Sequence, residues 1–238
     1  MTPPAPLRLL TWNIGRVHLG RRINRMFRHD SRADDDALAH VAHTIVETSA
    51  DVVSLQELVS REQLDQLMVH LGAGWTAGMG AAAGGDRAVA LLVRLGGRPA
   101  RLGTVELGGG RNAETAAGDG WLAVGVHFDA FRRRVRKQQA EGLVRFVDNR
   151  EEDTVIVAGD LNIDLRYPLH AAASDRAFMG ALCRTFRDLG KGKGYTVMGR
   201  RRLDYVFVRG GRAAEAKVLR RKRVPLGDHD PILAHIHL

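Results

Sequence analysis

The stretch VIVAGDLNID, residues 155–164, is the most informative part of this sequence. Small apolar residues run into a glycine, and Asp160, Asn162 and Asp164 then follow at every second position. The uninterrupted apolar run predicts a buried strand over 154–160. Side chains alternate along a strand, so acids and an amide at this spacing share one face. A buried strand that ends in this way predicts that its end carries chemistry.

The rest of the chain alternates strand and helix patterns around this strand. Further strands are predicted at 7–14, 51–57, 87–94, 101–107, 121–129, 203–209, 216–220 and 231–238, and helices at 34–49, 60–71, 134–150 and 175–184. The glycine-rich segments 78–86, 96–97 and 108–120 are interpreted as turns. Strands with helices before and after them predict a layered α/β sandwich. No Pro- or Ser-rich linker divides the 238 residues, so a single domain over 1–238 is expected.

The cysteine content favours a protein that resides in a reducing compartment. The single cysteine, Cys183, excludes an internal disulfide framework. The N-terminus lacks an apolar run long enough for a signal peptide, and no later segment could span a bilayer. We therefore expect a cytoplasmic protein without stable membrane insertion; its oligomeric state stays open, with a monomer as the expectation.

The charge balance points towards polyanions. Lys and Arg together number 36 against 27 Asp and Glu, a formal net charge of +9. The surplus is clustered at 132–137, 200–202 and 220–223, and in an early loop that contains Arg21, Arg22, Arg25 and Arg28. Nucleic acid backbones attract such clusters, and Arg132, Arg133, Arg134, Arg200 and Arg201 are the candidate contacts. Solvated basic faces without a partner are the alternative interpretation.

Polar residues collect at the predicted strand ends. They are two amides, four acids and two histidines, namely Asn13, Glu57, His127, Asp160, Asn162, Asp204, Asp228 and His229. Ends of sheet strands are where α/β folds converge their loops. Hard oxygen ligands suit Mg²⁺ or Mn²⁺, and histidines can move protons or neutralise an oxyanion. No cysteine cluster or H-x₃-H spacing argues for structural zinc.

The same residues carry a resemblance. The motifs TWNIG, LQE, VHFD, AGDLN, LDYVFV and GDHDP occur in the order found in the endonuclease/exonuclease/phosphatase superfamily, from about residue 9 to 235. The resemblance implies a four-layer α/β sandwich, with two mixed sheets packed face to face and helices outside. It also implies hydrolysis of phosphoesters with a divalent cation.

The resemblance further implies roles for individual residues. Glu57 would be the principal metal ligand, with Asn13 nearby and Asp228 able to contribute. Asp160 would orient or deprotonate the attacking water, and Asn162 would help place the phosphate.

Both histidines are implied to act on the phosphate. His229, steadied by Asp228, would bond a non-bridging oxygen or serve as base. His127, paired with Asp204, would assist at the phosphate or the leaving group; Val126 replaces the polar residue usual in the family, so a satisfied interior histidine is the alternative. Asp164 is interpreted as a loop residue.

Three functions remain open on the sequence. The basic clusters favour a magnesium-dependent nuclease acting on DNA or RNA. A phosphatase or phosphodiesterase for lipids or small phosphorylated molecules, similar to sphingomyelinases, is the alternative, although aromatic residues make up only 5% of the chain. A non-catalytic nucleic-acid-binding module is the third, and it would not need the full set of acids and histidines.

Overall fold

The computed structural model describes residues 6–15, 31–80, 88–94, 96, 100–166, 171–224 and 227–238. The strands in this part of the chain are β1 (Leu7–Asn13), β2 (Val52–Leu58), β3 (Thr76–Met79), β4 (Ala88–Val93), β5 (Arg101–Gly108), β6 (Arg111–Gly118), β7 (Trp121–His127), β8 (Thr154–Asp160), β9 (Arg187–Asp188), β10 (Asp204–Arg209), β11 (Ala213–Val218) and β12 (Ile232–His237). The helices are α1 (Ser31–Glu47), α2 (Arg61–Leu71), α3 (Arg133–Asp148) and α4 (Ala173–Thr185). The expected early-loop arginines, Arg21, Arg22, Arg25 and Arg28, lie outside the described residues.

The strands form two mixed sheets of six strands each. The first sheet has the order β11-β12-β1-β2-β4-β3, and the second has the order β5-β6-β7-β8-β10-β9. The parallel pairs are β1 with β2 and β7 with β8, and each pair is joined through a helix, α1 or α3. A parallel connection needs such a crossover because the chain must return to the starting edge.

Three clusters of buried apolar residues hold four layers together. One joins the first sheet to α1 and α2, with Trp12 and Leu38 among its members, and another joins the second sheet to α3 and α4. The third lies between the sheets and contains residues of both, for example Leu91 and Ile156. The predicted sandwich of two face-to-face sheets with helices outside is therefore confirmed.

The prediction of a turn over 108–120 is wrong, because β6 lies within it. The segment RNAETAAG has weak strand propensity, but it pairs with β5 on one side and β7 on the other. The short strands β3 and β9 were also not predicted. Among the described residues, no helix combines the length and apolarity needed to cross a membrane.

A buried acid lies in this unpredicted strand. Glu114 is 2% exposed; its Oε2 accepts a hydrogen bond from Thr104 Oγ1 at 3.0 Å, and its Oε1 is buried with no hydrogen-bond partner among the described residues. Burial raises the pKa of Glu114 to about 7, although the hydrogen bond from Thr104 opposes this. The folded protein therefore holds a proton at Glu114 over a pH range in which the unfolded chain has lost it.

We expect Glu114→Gln to change the pH dependence of stability. Since the folded-state pKa is raised, the wild-type free energy of unfolding should fall as pH rises from about 4.5 to about 7, by about 2–3 kcal/mol from this group. The variant lacks this loss, so its stability relative to wild type should increase from pH 4.5 to 8 in urea titrations. A difference between the two proteins that does not vary with pH would contradict the assignment.

Candidate active site

Three of the predicted site residues lie side by side on neighbouring strands of the second sheet. His127 is opposite Asp160 in the β7–β8 pair, and Asp160 is opposite Asp204 in the β8–β10 pair. Residues directly opposite one another in a sheet project to the same face. All three are at most 5% exposed, so the register alone collects two acids and a histidine in a buried row.

The first sheet contributes Asn13 and Glu57 to the same place. Asn13 Nδ2 donates a hydrogen bond to Asp160 Oδ2 at 2.9 Å and another to Glu57 Oε1 at 3.3 Å. Asn13 Oδ1 accepts a bond from the backbone N–H of Gly15 at 2.8 Å. Asn13 is therefore a donor that bridges the two carboxylates and ties the ends of the two sheets together.

Glu57 reaches this position through a local distortion of β2. The pairing with β4 shifts register between Gln56 and Leu58, and Glu57 has φ 69°. A bulge redirects a side chain, and a non-glycine residue in the left-handed region costs about 1–3 kcal/mol. That cost is typical of a position where the direction of the carboxylate matters.

Asp204 and His229 form a hydrogen-bonded acid–histidine pair within the site. His229 Nδ1 donates to Asp204 Oδ2 at 2.9 Å, and His229 Nε2 lies 3.9 Å from Asp160 Oδ2. The indole N–H of Trp12 binds the carbonyl oxygen of His229 at 3.2 Å and fixes the backbone there. The predicted pairing of Asp204 with His127 is therefore wrong, and Asp228 is not the residue that orients His229.

The buried charges change one another's protonation. Burial and the charge of Asp204 raise the pKa of Asp160 to about 7, although His229 and the hydrogen bonds to Asp160 oppose this. Burial lowers the pKa of His229, but the charge and hydrogen bond of Asp204, with smaller contributions from Asp160 and Asp228, outweigh it and raise the pKa to about 10. His229 is thus an imidazolium at neutral pH, with its positive charge against two acids.

A divalent cation fits this group of residues. The ligand oxygens of Asp160 and Asp204 and a ring nitrogen of His229 lie within 4.8 Å of one another. The two carboxylates can bind the cation, whereas the protonated ring of His229 has no lone pair to offer. Asp204 Oδ1 is buried and, among the described residues, has no hydrogen-bond partner. A buried oxygen without a donor is costly unless an ion or a water satisfies it. The predicted ligand Glu57 adjoins this group through Asn13.

Asn162 lies beside Asp160 for a different reason than strand alternation. β8 ends at Asp160, and Asn162 follows it with φ 52°. Its N–H donates to Asp160 Oδ1 at 2.7 Å, and its side-chain amide donates to the carbonyl oxygen of Phe128 at 3.0 Å. Asp164 is buried and accepts bonds from Arg166 and from the N–H of Arg202, which agrees with the loop role predicted for it.

His127 has a partner that the sequence did not indicate. Arg111, at the start of β6, places Nη1 3.0 Å from His127 Nδ1, and His127 Nε2 lies 3.9 Å from Asp160 Oδ2. Arg111 was missed because it stands in a glycine-rich segment interpreted as a turn. A polar residue directly after GGG and before a weak strand was the only available signal.

The remaining predicted metal ligand lies at the margin of this group. Asp228 is partly exposed, and its carbonyl oxygen accepts a bond from the N–H of Met198 at 3.0 Å. Its charge raises the pKa of His229, but by less than the charges of Asp204 and Asp160 do.

The basic clusters are not uniform surfaces. Arg132 pairs with the buried Asp129 at 2.7 Å, and Arg136 is itself buried against Asp175 at 2.9 Å. Arg133 and Arg134 are exposed in the first turn of α3, which begins just beyond the end of β7. The predicted contacts at the start of α3 therefore follow closely after the strand end that carries His127.

A second basic segment adjoins His229. Val197 forms bridges with both Arg201 and His229, so the segment 195–201 packs against the residues before β12. Arg200 is exposed and Arg201 is partly exposed. The guanidinium of Arg166 lies 4.1 Å from the ring centre of Tyr195, which is 37% exposed.

Residues 10–229 match the model of the Endonuclease/Exonuclease/phosphatase family. The chain belongs to this family, so it is a phosphoester hydrolase whose candidate centre is the buried group of acids and a histidine. No functionally curated protein matches its sequence.

Solved structures with the same fold differ in what they act on. A Bacteroides vulgatus endonuclease/exonuclease/phosphatase is 19% identical (TM-score 0.70), with 99% of this chain and 100% of that chain covered. A Bacteroides thetaiotaomicron mannosyl-6-phosphatase is 15% identical (TM-score 0.71; 98% and 100% covered). The endonuclease domain of TRAS1, a telomere-specific non-LTR retrotransposon, is 17% identical (TM-score 0.67; 98% and 99% covered). At these identities the likeness concerns the fold.

We expect Gly15→Ala to impair the centre without unfolding the protein. A Cβ at Gly15 would overlap with the carboxylate of Glu57 and approach Asn13 Oδ1. Binding of Mg²⁺ should weaken by about tenfold or more, because displaced residues that position ligands typically cost 10–100-fold in metal affinity. Isothermal titration with Mg²⁺ measures this directly. Gly180→Ala in α4 is the matched control, since a Cβ there meets nothing within 4 Å; equal affinities in the two variants would contradict the role given to Glu57.

Proposed function

We propose that this protein is a divalent-metal-dependent phosphodiesterase that hydrolyses backbone phosphodiesters of DNA or RNA, with Mg²⁺ or Mn²⁺ as its cofactor. One observation carries the choice of substrate. Exposed arginines and exposed aromatic rings stand in the segment that follows β7 and in the segment that packs against His229. Nucleic-acid-binding surfaces combine cationic groups that follow the backbone with rings on which bases stack.

The acids would hold the cation and the attacking water. We assign Glu57 and Asp160 as its principal ligands, with Asp204, Asp228 and Asn13 in support. When bound, the cation would stabilise negative charge on the phosphate and lower the pKa of water. Asp160, held by Asn13 and by the N–H of Asn162, would orient the water in line with the scissile bond.

The histidines would bind the phosphate from two sides. His229, charged and held by Asp204, would donate from Nε2 to a non-bridging oxygen and stabilise the charge that develops there. His127 would assist at the phosphate or the leaving group from the other end of the row. Asn162 would help place the phosphate beside them.

The surface around the centre supports a polymeric substrate. Tyr195 and Met198 are 37% and 60% exposed in the segment that packs against His229. Phe131 is 93% exposed next to Arg132 and Arg133 at the start of α3. A substrate with several phosphates could contact both basic segments, whereas a small phosphorylated molecule would contact only the centre.

A phosphatase or phosphodiesterase of small or lipid substrates is the alternative. The structural neighbour described as a mannosyl-6-phosphatase illustrates that this fold accommodates a phosphomonoester. A nuclease would depend on contacts between the basic segments and phosphates away from the reacting phosphorus, whereas an enzyme for small substrates would depend on them little.

Hydrolysis should require the acid–histidine centre. Glu57→Gln and His229→Ala are each expected to lower kcat by at least about 10²-fold, because each removes a group that acts on the reacting phosphate or its cation. His229→Ala also leaves Asp204 without its partner, at a cost of about 1–3 kcal/mol in stability. Plasmid, single-stranded DNA, RNA and a generic phosphodiester, each with Mg²⁺, Mn²⁺ or chelator, form the substrate panel.

The matched control for these variants is His43→Ala, since that side chain is 74% exposed on α1. Cooperative thermal unfolding of every variant establishes that the fold is intact. Wild-type rates in Glu57→Gln or His229→Ala would remove the proposed site.

Salt distinguishes the two substrate classes. If about three phosphates contact the basic segments, KM for a polynucleotide should rise roughly 20- to 40-fold between about 50 and about 200 mM salt. Arg200→Gln together with Arg201→Gln should reduce that dependence, whereas Arg94→Gln, at the opposite end of the first sheet, should not. A KM that changes little with salt, alongside turnover of a small phosphoester, would favour the alternative function.

A further inference from the structure

Arg111 is fixed at the point where β6 begins, next to the active-site row. It is the first residue of β6 and follows a turn in which Gly108, Gly109 and Gly110 all have positive φ, at 93°, 65° and 78°. Gly108 pairs with Arg111 across the turn, so the arginine backbone has little freedom. The β6–β7 pairing then places the start of β6 beside the end of β7, where His127 lies.

The contact between the two side chains determines which ring nitrogen of His127 carries the proton. Arg111 Nη1 lies 3.0 Å from His127 Nδ1. A guanidinium only donates hydrogen bonds and stays protonated in proteins, so Nδ1 must be the acceptor. An N–H at Nδ1 would point at another donor. The ring proton is therefore at Nε2, and Nε2–H is directed towards Asp160 Oδ2, 3.9 Å away.

The two histidines approach the same carboxylate oxygen. His127 Nε2 and His229 Nε2 each lie 3.9 Å from Asp160 Oδ2, which is longer than a hydrogen bond. Both rings therefore lie beside the carboxylate that the proposed function assigns to the attacking water. His127 can give a hydrogen bond in this arrangement only because its other nitrogen is held by Arg111.

Within the described ranges, the guanidinium of Arg111 also has no counter-charge. Its Nε is buried and finds no hydrogen-bond partner there, and no described carboxylate forms an ion pair with it. A positive charge in a partly buried position without an acid favours an anion nearby. The observation is independent of the histidine contact and points to the same ligand, a phosphate.

We infer that Arg111 is a positioning residue, which fixes the tautomer and orientation of His127 so that Nε2–H donates a hydrogen bond to a non-bridging phosphate oxygen of the substrate. The inference rests on the proposed function, because it assumes that a phosphodiester enters the row. In this assignment His127 donates a hydrogen bond to the phosphate and transfers no proton. The sequence had left two roles open for His127, one at the phosphate and one at the leaving group.

The tautomer can be measured without a substrate. Long-range ¹H–¹⁵N correlation spectra of uniformly ¹⁵N-labelled protein, with His127→Asn used to assign the signals, should place the His127 proton on Nε2. Arg111→Lys also presents only donors and should retain this tautomer. Arg111→Glu presents an acceptor and should move the proton to Nδ1. A wild-type His127 protonated at Nδ1 would overturn the inference, whatever the enzyme acts on.

Kinetics then tests whether the tautomer matters for the reaction. With bis(p-nitrophenyl) phosphate and Mg²⁺, Arg111→Glu should lower kcat by about 10²-fold, the cost of one lost donor to a developing oxyanion, and should also raise KM, because the charge that favours the phosphate is reversed. Arg111→Lys should restore most of kcat. In a His127→Ala background, Arg111→Glu should have little further effect on kcat, because residues that act as a unit are not additive.

Two comparisons separate the possible failures. Arg101→Glu reverses an exposed charge at the far end of the same hairpin and should leave kcat unchanged. If Arg111→Glu still lowers kcat by the same factor when His127 is absent, Arg111 does not act through His127 and the inference is wrong. If the wild type hydrolyses no phosphodiester but the spectra show Nε2–H, the proposed function has failed and the structural assignment stands. Should Arg111→Glu fail to fold, Arg111→Met, which offers no donor, takes its place in the kinetic comparisons, and the spectrum of the wild type tests the tautomer.

Discussion

The burial of the Asp160 carboxylate is the constraint on which the site depends. Removing a carboxylate from water costs several kcal/mol unless donors and opposite charge compensate. Its compensation comes from both sheets, because Asn13 donates from the first and the N–H of Asn162 donates from the second. The residual cost appears as a pKa of Asp160 raised to about 7. A bound cation would relieve that cost, so the same burial that destabilises the carboxylate favours metal binding. The contacts that connect the ends of the two sheets are thus the same contacts that build the candidate centre.

Much of this arrangement could be predicted from the sequence, because its signals are local. The apolar run before Asp160 indicates a strand, and the polar residues that end it indicate an edge with chemistry. The same reasoning places Asn13 and His127 at strand ends, where the structure has them. The four layers follow from the alternation of strand and helix patterns together with the family motifs. These signals need only the residues themselves and the period of the element that contains them.

The contacts that decide chemistry could not be predicted, because they depend on register between distant segments. Asp204 is paired with His229 and not with His127. This pairing depends on the register of β8 with β10, which positions Asp204, and on the segment before β12, which positions His229. Glu57 enters the site because β2 has a bulge and a positive φ at this residue, and the motif LQE indicates neither. Arg111 stands in a segment whose weak strand propensity hides β6. Hydrogen bonding of β6 to β5 on one side and to β7 on the other overrides that propensity. This is a tertiary effect, so it leaves no pattern in the local sequence.

The positions of the arginines in the fold limit what the net charge can indicate about a polyanionic partner. The surplus of +9 suggested a polyanion partner, yet the fold uses several of these arginines to satisfy its own buried acids. Arg136 is buried against Asp175, and Arg202 forms two bonds with Asp188, so neither guanidinium is available to a ligand. An arginine that compensates a buried carboxylate contributes to stability and to the charge count, but not to recognition. Only those that keep an exposed guanidinium near the centre, such as Arg200 in the segment packed against His229, bear on the substrate. The argument for nucleic acid therefore depends on where a few arginines lie, and the pI adds little to it.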